Sequence, residues 1–321
     1  MTEKNTPMQN WERETLEKVL FATVNEQKRN RRWKIFFRFI YLILFITIVA
    51  VIFGMSSESS KDYYTQNKPH VGVVDVKGEI AEDGRANASN INEALDEAFE
   101  DKKTVAVMLY IDSPGGSPVQ AGEVYQHLHY LEKQNPKTKV YAVCTDMCAS
   151  GAYYIAAGAN YIYADKASLV GSIGVLMNGF GFVDTLQKLG ISRRLLTAGS
   201  EKGFLDPFSP MKPQDQAYMQ NMLNVIHQQF INAVQTGRGT RLKNDPLLFS
   251  GLVWTGQQAL PLGLIDGIAT PEQVARDIIK NENLVNYSIE PSPFEKFAKN
   301  IGTSAASSAA SELGIRQGML Q

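Results

Sequence analysis

Residues Thr104–Ser117 read TVAVMLYIDSPGGS. Thr104 to Asp112 is a continuous apolar run of the kind found in strands buried on both faces. It ends in Asp112-Ser113-Pro114-Gly115-Gly116-Ser117, and helical character follows from Val119 to Gln134. The alternation of strand and helix continues on both sides. Upstream, His70 to Ile80 is strand-like, and Asn90 to Phe99 places Ile91, Leu95 and Phe99 at helical spacing. Downstream come a strand at Val140 to Cys144, a helix at Gly151 to Ala157 and a short strand at Tyr161 to Ala164. The apolar stretch Leu169 to Leu176 holds two glycines. Pro213 to Val234 is a long helical stretch, and Pro271 to Asn281 is the last clear helix, entered at Thr270-Pro271. Strands alternating with helices predict an α/β fold with a mainly parallel sheet and flanking helices.

Composition narrows the function classes. The chain has 321 residues, 44% hydrophobic and 20% charged, enough for a substantial core, and a net charge of -1. That balance gives no basic excess for phosphate backbones, so nucleic acid is not an expected partner. Cys144 and Cys148 are too few for a disulfide framework, and their spacing fits neither a zinc pair nor a redox motif. They read as packed thiols, with a bridge left open in an oxidising compartment. His70, His127, His129 and His227 are scattered and read as ordinary polar-face residues. No metal site is expected, and the phosphate-binding motif Gly-x-x-x-x-Gly-Lys-Ser/Thr is absent. No cofactor is expected.

Chemistry is expected where strands of an α/β sheet end. The paired glycines Gly115 and Gly116 let backbone N–H groups converge, as an oxyanion hole requires. A plain strand–helix turn is the other reading of Pro-Gly-Gly. In Cys148-Ala149-Ser150-Gly151-Ala152-Tyr153-Tyr154, a serine sits among small residues before a helix. That context suits a nucleophile held exposed at a sharp turn, and it equally suits a helix N-cap. A serine nucleophile needs a base. No histidine has a context that nominates it. A lysine serves if burial in an apolar wall brings its pKa from about 10.4 toward neutrality. Lys202 lies in a loop, LTAGSEKGFL (196–205), with few other charges, but the residues alone do not single it out from the other bases.

The region from about His70 to Asn281 resembles the signal peptide peptidase A family of S49 serine proteases. The resemblance rests on DSPGGS at 112–117, CASGAYYIA at 148–156, LVGSIGV at 169–175, AGSEKGFLDPFSP at 198–210 and GLVWTGQQALPLGLID at 251–266. It implies a Clp protease/crotonase-like fold and a Ser–Lys dyad. Ser150 falls on the nucleophile and Lys202 on the base. Gly115 and Gly116 fall on the oxyanion turn, Gly151 follows the nucleophile, and Ser172 falls on a serine that orients the lysine. Ala152 departs from the second glycine common in relatives, and the Lys202 loop is a variable one. Short members carry one copy of the domain and assemble into rings, so a homo-oligomer is expected, an octamer among the arrangements, with Lys202 able to act on a neighbour's Ser150. The implied substrates are hydrophobic peptides, signal peptides left in the membrane above all. Two rival readings keep the fold: a crotonase-like acyl-transfer enzyme, and a non-proteolytic peptide-binding membrane scaffold.

The ends of the chain add a location. Phe39 to Met55 carries no charge, and about twenty apolar residues cross a bilayer core. Lys28, Arg29, Arg31, Arg32, Lys34 and Arg38 precede it, which places the N-terminus in the cytoplasm and the catalytic domain outside. The expected organisation is a cytoplasmic arm at 1–34, a transmembrane signal anchor at 35–55, a linker at 56–69, the S49 peptidase domain at 70–290 and a low-complexity tail at 291–321. Asn10 to Gln27 has Trp11, Leu16, Leu20 and Val24 roughly on one face of a helix. In the tail, Phe294, Phe297 and Ile301 are candidates for local docking. The setting implied is a bacterial inner membrane, crossed once.

Overall fold

The computed structural model describes residues 7–55 and 68–289. The expectations for most of the linker and for the tail lie outside these residues. The described chain falls into two units. The first is a single helix, α1 (Pro7–Met55). It is one continuous rod where the sequence suggested a separate amphipathic helix before the apolar run, and Trp11, Leu16, Leu20 and Val24 are all exposed on it. Among the described residues no helix is long and apolar enough to cross a membrane, so the expected anchor finds no support there. The side chains of 49–55, which complete the uncharged run, lie outside the description.

The second unit is an α/β domain. Its elements in chain order are β1 (His70–Lys77), α2 (Ala88–Glu100), β2 (Thr104–Ser113), α3 (Pro118–Gln134), β3 (Lys139–Ala149) and α4 (Gly151–Ala156). There follow β4 (Tyr161–Ala164), β5 (Leu169–Gly171), α5 (Val183–Lys188) and α6 (Pro213–Arg238). The chain then forms β6 (Val253–Thr255), α7 (Gly256–Leu262), β7 (Gly267–Ile268), α8 (Pro271–Gln273) with a π-helical continuation Val274–Ile279, and β8 (Leu284–Asn286). The sheet runs β6-β5-β3-β2-β1-β8, with β4 on β3 and β7 on β4. Every pairing is parallel except β5–β6. The helix expected from Pro271 to Asn281 thus widens after its first turn and stops at Lys280, which adopts a left-handed backbone.

Strand β2 shows why the continuous apolar run was the right signal. Val107, Leu109 and Ile111 point into the main core with Ile91 and Leu95 of α2 and Val124 and Leu128 of α3. Met108 points the other way, to a smaller cluster with Val73, Val143 and Val274. Each of these buried aliphatic side chains contributes roughly 1.5–3 kcal/mol. Helices α2 and α3 begin at side-chain caps: Asn87 Oδ1 accepts from the Asn90 amide at 2.8 Å, and Ser117 Oγ from that of Gln120 at 3.4 Å.

One polar cluster locks the C-terminal third. Arg238 is fully buried and meets Asp266 in a two-pronged pair at 2.8 and 3.0 Å, while its Nε donates to the Gly263 carbonyl at 2.8 Å. Asp266 also accepts from the Ile162 amide at 2.7 Å and from Arg241 at 3.1 Å. Helix α6, strand β4 and the turn before β7 are thereby held at one carboxylate. Burial pushes the Asp266 carboxyl up, but the Arg238 bonds, the Ile162 amide and the two guanidinium charges outweigh it and hold it below the ordinary value.

Two of the histidines are not the plain polar-face residues expected. His70 is wholly buried, with Nδ1 at 2.8 Å from the Lys68 carbonyl and Nε2 at 2.8 Å from the Tyr287 hydroxyl, which in turn donates to Asp101 at 2.8 Å. His127 pairs with Asp96 of α2 at 2.7 Å. Both pairings join residues far apart in sequence, so helical spacing carried no trace of them. Cys144 and Cys148 are buried free thiols, and burial, with Cys144 beside it, pushes the Cys148 thiol up.

Candidate active site

Strand β3 ends at Ala149, and Ser150 turns the chain sharply into α4 with φ 52° and ψ -124°. A non-glycine residue at such a backbone position costs on the order of 1–3 kcal/mol. Local bonds hold it there. The Ser150 amide donates to the Gly171 carbonyl at 2.8 Å, and the Ser150 carbonyl accepts from Tyr154 at 3.0 Å. Ser150 stands at the N-cap position of α4 but makes no capping bond with its side chain. One turn further, Tyr153 is buried and its hydroxyl donates to the Leu264 carbonyl at 2.7 Å, which anchors α4.

The DSPGGS turn lies directly against this elbow. At Gly115 a Cβ would come within 2.7 Å of Ala149 O, Gly151 N and Ser150 Cβ, and φ is +97°. At Gly116 a Cβ would collide with the Ile80 carbonyl. Glycine is required at both positions, because the turn is squeezed between β1's extension and the elbow. The Gly115 amide is taken by Ser113 Oγ at 3.1 Å. The amides of Gly116 and Gly151 have no hydrogen-bond partner among the described residues, and a Cβ on Gly151 would sit 3.3 Å from Gly116 N. Two free donors are thus side by side next to Ser150.

Ser150, Gly116, Gly151 and Ser172 line one cleft of about 870 Å³, whose walls include Val119, Tyr154, Ile226 and Phe230. Tyr154 stacks on Phe230 with ring centroids 4.9 Å apart. Ser172 also has a left-handed backbone, φ 54°, and its amide donates to the Leu252 carbonyl at 2.8 Å. Before it, Gly171 lies against the Trp254 ring, where a Cβ would approach to 2.7 Å. Strand β6 therefore fixes β5, and β5 fixes the elbow. His227 of α6 lies 3.1 Å from the Ile173 carbonyl and steadies the segment that follows Ser172. Sequence reading did not single out Leu252, Trp254 or His227. Trp254 lay inside a quoted motif, but its contact with Gly171 is visible only once the strands pair.

Lys202 is not among the cleft residues. It is exposed, in a turn whose Lys202 amide donates to the Gly199 carbonyl at 3.2 Å. That turn belongs to the stretch from Val175 to Met211, which displays Leu176, Phe180, Leu189 and Leu196 to solvent, the last 96% exposed. Within one chain, then, the cleft brings together Ser150, Ser172, Gly116 and Gly151, and leaves Lys202 outside. Among the described residues no group of three or more His, Cys, Asp or Glu is placed to hold a metal ion.

A family model for peptidase family S49 matches residues 132–285, and one for Clp protease matches residues 71–168. A Synechocystis protein described as putative protease slr0021 is 33% identical over 210 residues, which is 65% of this chain and 73% of that protein. The chain belongs to peptidase family S49. The S49 chain is also 46% identical over 174 residues to a Brucella melitensis protein described as Na(+)/H(+) antiporter NhaA, covering 54% of this chain but only 24% of that longer protein. A putative signal peptide peptidase SppA from Enterococcus faecium is 26% identical over 254 residues, 76% of this chain and 73% of its own length. The Clp protease match supports a Clp-like α/β fold for the S49 domain, with its mostly parallel sheet and flanking helices.

Proposed function

We propose that this S49 chain is a serine endopeptidase that works with a Ser–Lys dyad. The observation that carries the reading is Ser150 on a strained turn beside two unpartnered amides in an apolar-walled cleft. Ser150 Oγ attacks a peptide carbonyl while an uncharged Lys202 amine takes its proton. The developing oxyanion accepts from the Gly116 and Gly151 amides, the geometry by which such sites stabilise charge. Gly115 serves by close approach. The C–N bond breaks as Lys202 returns the proton to the leaving amine, and water then hydrolyses the acyl-serine ester. Ser172 orients the lysine.

Because Lys202 stands outside its own chain's cleft, the base is supplied by a neighbouring copy in a homo-oligomer. The exposed apolar stretch that carries Lys202 favours self-association, since contiguous apolar surface of this kind marks contact sites. The substrates are extended hydrophobic peptides, signal peptides in the first place. The cleft's Val119, Ile226 and Phe230 and the name of the Enterococcus relative support that class. We also place the protein in a bacterial inner membrane, crossed once with the catalytic domain outside. The support is the uncharged run Phe39–Met55 and the basic residues before it. Labelling with a fluorophosphonate probe tests the reading. Wild type labels at Ser150, and labelling falls sharply in Lys202→Ala. Unchanged labelling in the lysine variant rejects the dyad.

A further inference from the structure

From residue 28 to residue 38 of α1 there are six cations, Lys28, Arg29, Arg31, Arg32, Lys34 and Arg38, and no acidic residue lies between Glu26 and Glu58. None of the six makes an ion pair among the described residues. An unpaired cluster of one sign on a helix repels itself unless something of opposite charge covers it.

The cluster is interleaved with aromatic rings. Trp33 stacks on Phe37 at 5.7 Å and meets Phe36 edge-on at 5.7 Å. These three rings and Tyr41 are all half or more exposed, or close to it. Asn30, Trp33, Lys34, Phe37, Arg38 and Tyr41 recur at helical spacing and line one shallow groove. In that groove two cations stand beside a strip of rings. Rings of this kind settle at the boundary between headgroup and acyl chain, and cations beside them face lipid phosphates.

We propose that the 28–41 stretch of α1 is a binding surface for anionic phospholipid, with Lys34 and Arg38 holding a headgroup phosphate and Trp33, Phe37 and Tyr41 seated against the upper acyl chain. Charge complementarity selects the occupant: a zwitterionic headgroup neutralises its own phosphate and leaves the cation cluster uncovered. The proposal rests on the membrane location given above, but it makes a separate claim, because an anchor held by apolar residues alone has no preference among headgroups.

Full-length protein reconstituted in phosphatidylcholine vesicles provides the test. A minor fraction of either brominated phosphatidylglycerol or brominated phosphatidylcholine is added as quencher, brominated high on the acyl chain. The Trp33 signal is obtained by subtracting that of Trp33→Phe. The phosphatidylglycerol quencher is expected to act at least about fivefold more strongly at equal mole fraction. The preference disappears in the Lys34→Gln/Arg38→Gln double variant and at high salt, while inorganic phosphate in excess over lipid, added at constant low ionic strength, does not remove it. Equal quenching by both lipids overturns the anionic site and leaves the membrane location standing. Quenching by neither overturns both. Loss of the preference with inorganic phosphate overturns the lipid as occupant.

Discussion

Ser150 spends backbone strain to present a hydroxyl, and its neighbours show what the strain is for. Ser150→Ala keeps the fold and lowers peptide hydrolysis by about a thousandfold or more, read with a fluorogenic peptide. Gly116→Ala acts differently. A methyl there meets the Ile80 carbonyl and moves a donor amide, so activity falls by roughly a hundredfold and thermal stability falls with it. If Gly116→Ala were as active and as stable as wild type, the oxyanion assignment would be wrong. At this scale the sequence exposed the glycines and the serine, because close backbone approach leaves only small residues at those places. It did not expose which amide is free. That depends on Ser113 Oγ reaching back to Gly115, a side-chain bond no motif announces.

At the scale of elements, the strands and helices of residues 70–164 and the long helix from Pro213 were legible because apolar periodicity follows burial directly, whereas the short elements α5, β6 and α7 were not read. What escaped was pairing between distant elements. Trp254 matters through Gly171, and Asp266 through Arg238, and neither partner lies within a helical or strand repeat of the other. Trp254→Ala is expected to cost about 2 kcal/mol in denaturant unfolding and to lower activity further than that loss of stability explains, since β5 then no longer holds the elbow. Asp266→Asn leaves the buried Arg238 without a charge partner and costs about 3 kcal/mol at neutral pH. The native Asp266 carboxyl lies below its ordinary pKa, so its contribution is complete above the unfolded value, about 4. It is lost as pH falls through the lower folded value. The stability gap between wild type and Asp266→Asn therefore narrows below about pH 4. A gap that stays constant down to pH 2 would show that the carboxylate charge is not what holds the cluster.

For the molecule as a whole, the residue pair of the proposed dyad is divided between a cleft and an exposed loop. Neither Ser150→Ala nor Lys202→Ala is expected to be active alone, and mixed oligomers of the two variants are expected to regain activity if one chain's amine serves another's serine. Inactive mixtures that still assemble would exclude that sharing. Leu196→Asp is expected to shift sedimentation toward smaller species and to reduce activity in parallel. Family resemblance pointed to Lys202, but a single chain's sequence holds no sign of which copy's serine it would serve. The dependence of the elbow on β6 has a temporal consequence. The serine is synthesised about a hundred residues, and the glycine turn more than 130 residues, before Leu252 and Trp254, which fix the strand at their side. A nascent chain that has emerged only as far as α6 bears its nucleophile but not the brace that seats it. Seating of the elbow is thereby deferred until β6 itself has been translated, so a chain still short of that strand carries an unbraced Ser150.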